Sequence, residues 1–366
     1  MNRYTIQIFQ QVDDQLKKSW RELWETSSNG NVFNSYEWFE MSLQSLSFTR
    51  YEIVACFEGK KLVAVFPLTP SKCFGIPVWV PVGHEFIVDT TLLLQDYSKE
   101  LVSFFFSQVL RNRNVYITTL DERIVSLLSE IDSKLFFSLI SVNPYIDFGK
   151  DPLRYVSGSN KKTMRKVIKN MGSDLEFVEC VTQEEKEEGF AKMVEIEQKS
   201  SKKQQSKDIF AKAENVNFYS NIVKYSGRFV RIFFLLYQGK PIVYAFILAH
   251  KAKAIGYQTS YLSEYRKLSP GKMMFSYLFS ALQKDGIDVL DLGGGVSSYK
   301  QEFTPLYFFQ YNLYYSNNIA YMLWWKGINT LRRLKQIFFP LKYTRDHEFL
   351  FLPFLQTDSK KQLCLV

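Results

Sequence analysis

Residues 265–272, Tyr-Arg-Lys-Leu-Ser-Pro-Gly-Lys, set three cations (Arg266, Lys267 and Lys272) around a Ser-Pro-Gly turn, and an apolar helical stretch, MMFSYLFSALQ, follows at once. The first backbone N–H groups of a helix lack intrahelical partners and sit at the positive end of its dipole, so such a turn suits an anion of phosphate or pyrophosphate size. The same residues also read as a plain helix start, with Ser269 as N-cap and Pro270 at the first helical position. A second cationic feature lies upstream, over residues 159–171. On a helical wheel Lys161, Lys162, Arg165, Lys166 and Lys169 share one arc, and Met164, Val167, Ile168 and Met171 share the opposite one. One face suits a core; the other suits anions, or simply water.

The elements that must position these groups follow from periodicity and turn residues. Residues 228–236, 242–250 and 253–262 read as three strands joined by tight connections, hence an antiparallel meander, with a helix over 217–225 before it. The Ser-Pro-Gly turn, its helix, a strand from Ile287 into Asp291-Leu-Gly-Gly-Gly295 and a further strand at 308–315 complete the series. Upstream, 182–203 reads as a helix and 200–207 as a polar loop. In the first half the pattern is a strand at 4–9, helices at 13–26 and 35–45, a hairpin turning at Glu58-Gly59-Lys60 and a strand at 78–82. A helix-rich run from Thr91 to Leu110, strand 115–120, helix 121–129 and strand 136–142 follow, and 143–149 reads as a turn-rich crossover. The expected fold class is α/β (α+β), with two domains, 1–143 and 144–318, each a mixed, mainly antiparallel sheet flanked by helices.

Composition narrows the function classes. A chain of 366 residues with 46% hydrophobic and 16% aromatic residues has enough apolar mass for two cores. Its net charge of +9 points to anionic partners without choosing among cofactors, nucleic acid and membrane. Cys56, Cys73, Cys180 and Cys364 form no CxxC pair and lack neighbouring histidines, so reduced thiols are expected and no metal. His84, His250 and His347 are too scattered for a Ser-His-Asp set, which argues against hydrolysis through a covalent intermediate. The amino-terminal residues lack a signal-peptide apolar run and no stretch of eighteen or more apolar residues occurs, so a cytoplasmic location is expected. Residues 319–366 form a basic aromatic tail: no acidic residue occurs from Phe303 to Arg345, where Lys326, Arg332, Arg333, Lys335, Lys342 and Arg345 lie among Trp324, Trp325, Phe338 and Phe339. Either its aromatics pack on the second domain with the cations in water, or the tail meets an anionic membrane surface or a polysaccharide-synthesis partner.

Three motifs in order carry a family resemblance: the basic segment SNKKTMRKVIKNM (159–171), the YRKLSPGK turn (265–272), and DLGGG (291–295) followed by YKQEF (299–303). Together with the strand order they resemble the Gcn5-related N-acetyltransferase (GNAT) superfamily. The closer likeness is to its two-domain branch of FemAB-type transferases and BioF2-like or CelD-type acetyltransferases, with a degenerate amino-terminal partner domain.

The resemblance implies an acyl-CoA co-substrate, acetyl-CoA first, whose pyrophosphate would be met by Arg266, Lys267, Leu268, Ser269, Gly271 and Lys272. Ser269 replaces a glycine of the superfamily's turn, and Pro270 removes one N–H donor. Acyl transfer to an amine needs a free amine, an oxyanion donor and an acid for the leaving thiolate. The resemblance places the oxyanion donor on the backbone of residues 258–261, Tyr299 as the acid, Lys300 near the transferred group, and Asp291 as the group that orients or deprotonates the amine. Lys161, Arg165, Tyr261 and Phe303 are the expected substrate-binding residues. The implied activity is N-acylation of a sugar or related glycan amine in surface polysaccharide biosynthesis. Alternatives are an aminoacyl transferase using tRNA, which the basic helix would suit, and a non-catalytic accessory of polysaccharide synthesis.

Overall fold

The computed structural model describes residues 3–338 apart from Thr49, 132–133, 205–207 and 296–297. Its first half begins with β1 (Tyr4–Phe9), α1 (Asp14–Thr26) and α2 (Tyr36–Ser45). Asp13 and Ser35 cap the two helices by accepting from the amides of Leu16 and Trp38. The apolar stripe of α1, with Leu16, Trp20, Leu23 and Trp24, is buried as its helical spacing requires. Next come β2 (Glu52–Glu58), β3 (Lys61–Cys73) and β4 (Ile76–Pro81), then a short β5 (Leu93–Leu94) lying against β3. The half ends with α3 (Lys99–Leu110), β6 (Val115–Asp121), α4 (Glu122–Ser129) and β7 (Phe136–Asp147).

The second half repeats that order. It runs α5 (Gly158–Met171), β8 (Leu175–Cys180), α6 (Gln183–Gln198), α7 (Ser201–Gln204), α8 (Ala213–Tyr225), β9 (Val230–Tyr237), β10 (Lys240–His250) and β11 (Lys253–Tyr261). Then follow α9 (Pro270–Lys284), β12 (Val289–Asp291), α10 (Ser298–Gln301), β13 (Tyr307–Tyr315) and α11 (Ile319–Phe338). Among the described residues the strands join in one mixed sheet, ordered β1-β2-β3-β4-β6-β13-β7-β12-β11-β10-β9-β8, with helices packed on it. The last strand of each half crosses over: β13 lies between β6 and β7, and β7 lies between β13 and β12.

Three expectations need correction. Residues 143–147 are not a turn-rich crossover but the end of β7, because their backbone finds partners on both sides, Pro144 with Tyr307 and Tyr145 with Asp291. Strand β13 does not extend the second half's meander; it pairs with β6 and β7. The helix expected over 182–203 breaks at Lys199–Ser200, and part of the loop expected at 200–207 is the helical turn α7, with 205–207 outside the described residues. Strand β8, which completes the sheet edge beside β9, has no counterpart in the sequence reading.

The tail helix α11 packs on the first half rather than the second. Trp325 is fully buried against Tyr314, with Cys73, Ile76, Val78 and Val80 in the same cluster, while Trp324 stays exposed. The remainder of the basic tail, 339–366, lies outside the described residues. Trp325→Ala deletes a buried ring and is expected to cost about 3–5 kcal/mol, read as a lower urea midpoint with an unchanged slope.

Candidate active site

The site grows from the shortness of β12. It pairs in parallel with β11 over Lys253–Ile255 and antiparallel with β7 over Tyr145–Asp147, and it ends at Asp291. Both neighbours continue past that point, β11 to Tyr261 and β7 back toward Phe136, so their facing edges part and leave a wedge in the sheet. The glycine turn 293–295 folds into the β7 side of this wedge. Gly293 has a φ of +81°, and a Cβ there would stand 3.1 Å from the Gly256 carbonyl, so only glycine fits both the backbone and the space.

Asp291 and Lys300 hold the turn from opposite ends. The Asp291 carboxylate accepts from the Gly293 amide at 2.7 Å and from Asn143 Nδ2 at 3.2 Å. Ser141 supports Asn143 by donating to its Oδ1 at 2.7 Å, and accepts from the Gly295 amide at 3.3 Å. The Lys300 ammonium donates to the carbonyls of Gly293, Gly294 and Gly295 at 2.9, 3.1 and 3.1 Å. Its three protons therefore face the turn, and an oxyanion would have to displace one of these carbonyls to reach it.

Burial dominates the electrostatics. It pushes the Asp291 carboxyl up to about 7 against the pull of the Gly293 amide and Asn143, and the charge of Asp89 adds to the upward push. Burial likewise brings Lys300 down to about 8, partly offset by Asp291. Asp89 is itself raised to about 6 by burial and by Asp121. The Asp291 carboxyl, held near neutrality at the head of the wedge, suits proton exchange with an amine, and Asp89, hydrogen-bonded to Asn31 and Thr91, acts on it through its charge. Among the described residues no group of three or more His, Cys, Asp and Glu is set to hold a metal ion.

The helix start at α9 borders the other end of the site. Ser269 takes a left-handed conformation, φ +53° and ψ 51°, and makes no side-chain cap, so it is an N-cap by position only. The amides of Lys272 and Met273 both turn back to the Ser269 carbonyl. Gly271 has open space where a Cβ would stand. Arg266 and Lys267 are exposed, and Lys272 is ion-paired with Glu302 at 2.6 Å, tying the α9 start to α10. Leu268 is half-buried beside them.

The other expected site residues disperse. Tyr299 lies at the surface with its ring parallel to Phe275, centroids 6.0 Å apart. Phe303 is 1% exposed and packs edge-on against Phe275 and Phe279, so it belongs to the core. Tyr261 ends β11, half-buried, while Lys161 and Arg165 sit on α5, the latter exposed.

Residues that sequence reasoning missed line the β11 side. Glu197 on α6 is fully buried, accepts from Tyr244 Oη at 2.9 Å, and lies 3.6 Å from Lys202 Nζ. Lys202 in turn donates to the Thr259 carbonyl at 2.6 Å and to Gln258 Oε1 at 3.3 Å. Glu197 follows Phe190 and Met193 at helical spacing, and a carboxylate on an apolar stripe was the available signal. Asp89, Asn143 and Ser141 offered none, because they meet the site only through the fold.

The geometry agrees with what comparison finds. Residues 158–301 match the family model of the acetyltransferase (GNAT) domain. FemX superposes with a TM-score of 0.62 at 10% identity, covering 87% of this chain and 99% of FemX. A conserved protein of unknown function from Bacteroides thetaiotaomicron gives 0.56 at 9% identity, over 85% of this chain and all (100%) of that one. The C-terminal domain of a putative lysylphosphatidylglycerol synthetase from Agrobacterium fabrum gives 0.51 at 13% identity, over 74% and 85%. No curated protein matches the sequence. Residues 158–301 thus form a GNAT-type domain, and the chain as a whole shares the fold of FemX.

The buried acid sets a pH test. Its folded-state pKa stands above the ordinary 3.8, so protonated Asp291 favours folding; that contribution is complete below the unfolded range and is lost as pH rises through about 7. Asp291→Asn is expected to flatten this loss by a few kcal/mol, measured as the difference in urea-unfolding free energy between about pH 5 and about pH 8. Parallel pH curves for variant and wild type would exclude a buried acid here.

Proposed function

We propose that the chain is an N-acyltransferase that moves an acyl group, acetyl first, from acyl-CoA to the amine of a sugar or related precursor in surface polysaccharide biosynthesis. The observation that supports this most is the wedge that opens between β11 and β7 where β12 ends, with the buried Asp291 carboxyl at its head. An acyl-CoA would supply an activated acyl carbon and a thiolate leaving group.

The chain's own residues divide the remaining work. Arg266 and Lys267 offer exposed cations to a pyrophosphate, Lys272 would exchange its pairing with Glu302 for it, and a ligand can approach the backbone at Gly271, where a Cβ would meet nothing within 4 Å. Beyond Ile255 the outer edge of β11 has no strand partner among the described residues, so a backbone N–H on residues 256–261 is available to a developing oxyanion. Asp291, titrating near 7, is matched to accept a proton from an ammonium at neutral pH, and Asp89 adds attraction for that cation. Tyr299 is the candidate proton donor to the thiolate. The sugar acceptor rests on the likeness to the CelD-type ending of the chain, Tyr299–Phe303.

A second reading, an aminoacyl donor carried by tRNA, is favoured by one observation: Lys162, Arg165, Lys166 and Lys169 all lie exposed on α5. Phosphate contacts would make that binding fall steeply with salt.

Titration calorimetry separates the two. Wild type is expected to bind acetyl-CoA, Gly271→Ala to bind alike because its Cβ meets nothing within 4 Å, and Gly271→Glu to bind at least about tenfold more weakly by placing a carboxylate against the phosphates. Absence of acetyl-CoA binding, with a salt-sensitive tRNA shift in its place, would transfer the assignment to the second reading.

A further inference from the structure

Helix α11 has two apolar faces, and among the described residues only one is packed into the core. On the inner face Trp325 is fully buried, Trp325 Nε1 donates to the Cys73 carbonyl at 3.4 Å, and Ser138 on β7 donates to Asn329 Oδ1 at 3.1 Å. On the other side Ile319, Leu323, Trp324, Leu331 and Leu334 are exposed by 76, 63, 55, 67 and 41%. At about 100° per residue these five span an arc of roughly 140° on the wheel. Within it Ala320 and Gly327 are small, and Thr330 turns its hydroxyl back to the Lys326 carbonyl at 2.9 Å. The other exposed large hydrophobic side chains among the described residues, such as Ile8, Ile140 and Val181, stand singly on separate elements, which makes the concentration on one helix unlike ordinary surface scatter.

Charge selects the occupant. The helix carries no acidic residue; Lys326, packed over the Phe136 ring, stands about 20° outside one edge of the arc, and Arg332, packed over Phe74, lies about 80° beyond the other, next to the inner face. A second copy laid on this face would bring like cations together, whereas an anionic lipid surface is attracted by them. Trp324 donates its Nε1–H to the Phe74 carbonyl at 3.3 Å and offers the lipid the exposed apolar part of its ring. Among the described residues no helix is long and apolar enough to cross a bilayer, so the geometry is that of a helix lying on the surface. We propose that the outer face of α11 docks the protein on an anionic lipid bilayer, with Ile319, Leu323, Trp324, Leu331 and Leu334 set among the headgroups. This holds whichever acyl donor the site takes.

The test is flotation of the full chain with vesicles of phosphatidylcholine alone and of phosphatidylcholine with about one-third phosphatidylglycerol. Wild type is expected to float with the second and much less with the first, and several-fold less at about 0.5 M salt than at about 0.1 M. Leu323→Glu and Leu331→Glu are each expected to weaken binding about tenfold or more, with thermal unfolding unchanged because both residues are exposed. Failure of wild type to float with anionic vesicles overturns the proposal. So does a dimer in light scattering that the same substitutions dissociate, which would give the face to a second copy. A marked fall in melting temperature for both variants without vesicle binding would assign the face to the chain's own residues beyond 338, and it too overturns the proposal.

Discussion

A strand can satisfy its neighbours only over its own length, and β12 has three residues. Past Asp291 the edges of β11 and β7 would face each other with unpaired backbone groups, which is costly in a buried sheet. The chain resolves the β7 side with its own groups: Leu292 donates to the Pro144 carbonyl, and Ser141 accepts from Gly295. The glycine carbonyls displaced from any strand are then collected by Lys300. The β11 side is left for Lys202 and for whatever enters the wedge. A buried aspartate, a buried lysine and a glycine run are thus one solution to one shortage of strand.

The first half shows what happens when the same gap is closed. There β4 and β6 are parallel partners joined at Trp79 and Val115, as β11 and β12 are in the second half. Strand β6 ends at Asp121 much as β12 ends at Asp291, but Asp121 caps α4 directly by accepting from Ile124, with no glycine turn between. Thr90 bridges to Leu120 and its amide donates to Thr119, so the chain's own segment fills the space. The helix in the place of α9 is α3, which starts with Ser98 capping Leu101 and with Glu100 in its first turn, an arrangement that repels an anion. The crossing strand β7 of the first half carries Ser141 and Asn143 to the glycine turn of the other half.

How much of this was legible follows from which contacts are local. The helix starts at Asp13, Ser35 and Asp121 and the meander β9–β11 have local causes, so spacing and turn residues revealed them, although the capping role of Asp13 and Asp121 appeared only in the fold. The Asp291–Lys300 pairing with the glycine run lies within ten residues and was visible as a motif, although the direction of the Lys300 ammonium was not. The crossing of β7 and β13 was illegible because residues 143–147 contain Asn and Pro, ordinary turn signals, and only partners distant in sequence make them a strand. Asp89 was hidden for the same reason. Phe303 illustrates the opposite error: a motif position read as substrate contact is occupied by a ring the core requires.

The β11 edge itself is held by an ion pair between the buried Glu197 and the half-buried Lys202, and its geometry bears on function. Glu197 is fully buried, and Lys202 approaches it while donating to the Thr259 carbonyl and to Gln258. Desolvation makes such a pair a weak source of stability, since an apolar replacement of similar shape packs as well. What the pair does provide is position: Tyr244 on the neighbouring strand donates to Glu197, and Thr259 donates to the Tyr244 carbonyl, closing a loop of contacts across β10 and β11. That loop fixes the stretch of β11 facing the wedge to within hydrogen-bond tolerance. An N–H there can meet a developing oxyanion only if the strand does not shift by a fraction of an ångström, and a hydrophobic contact would not define it so closely.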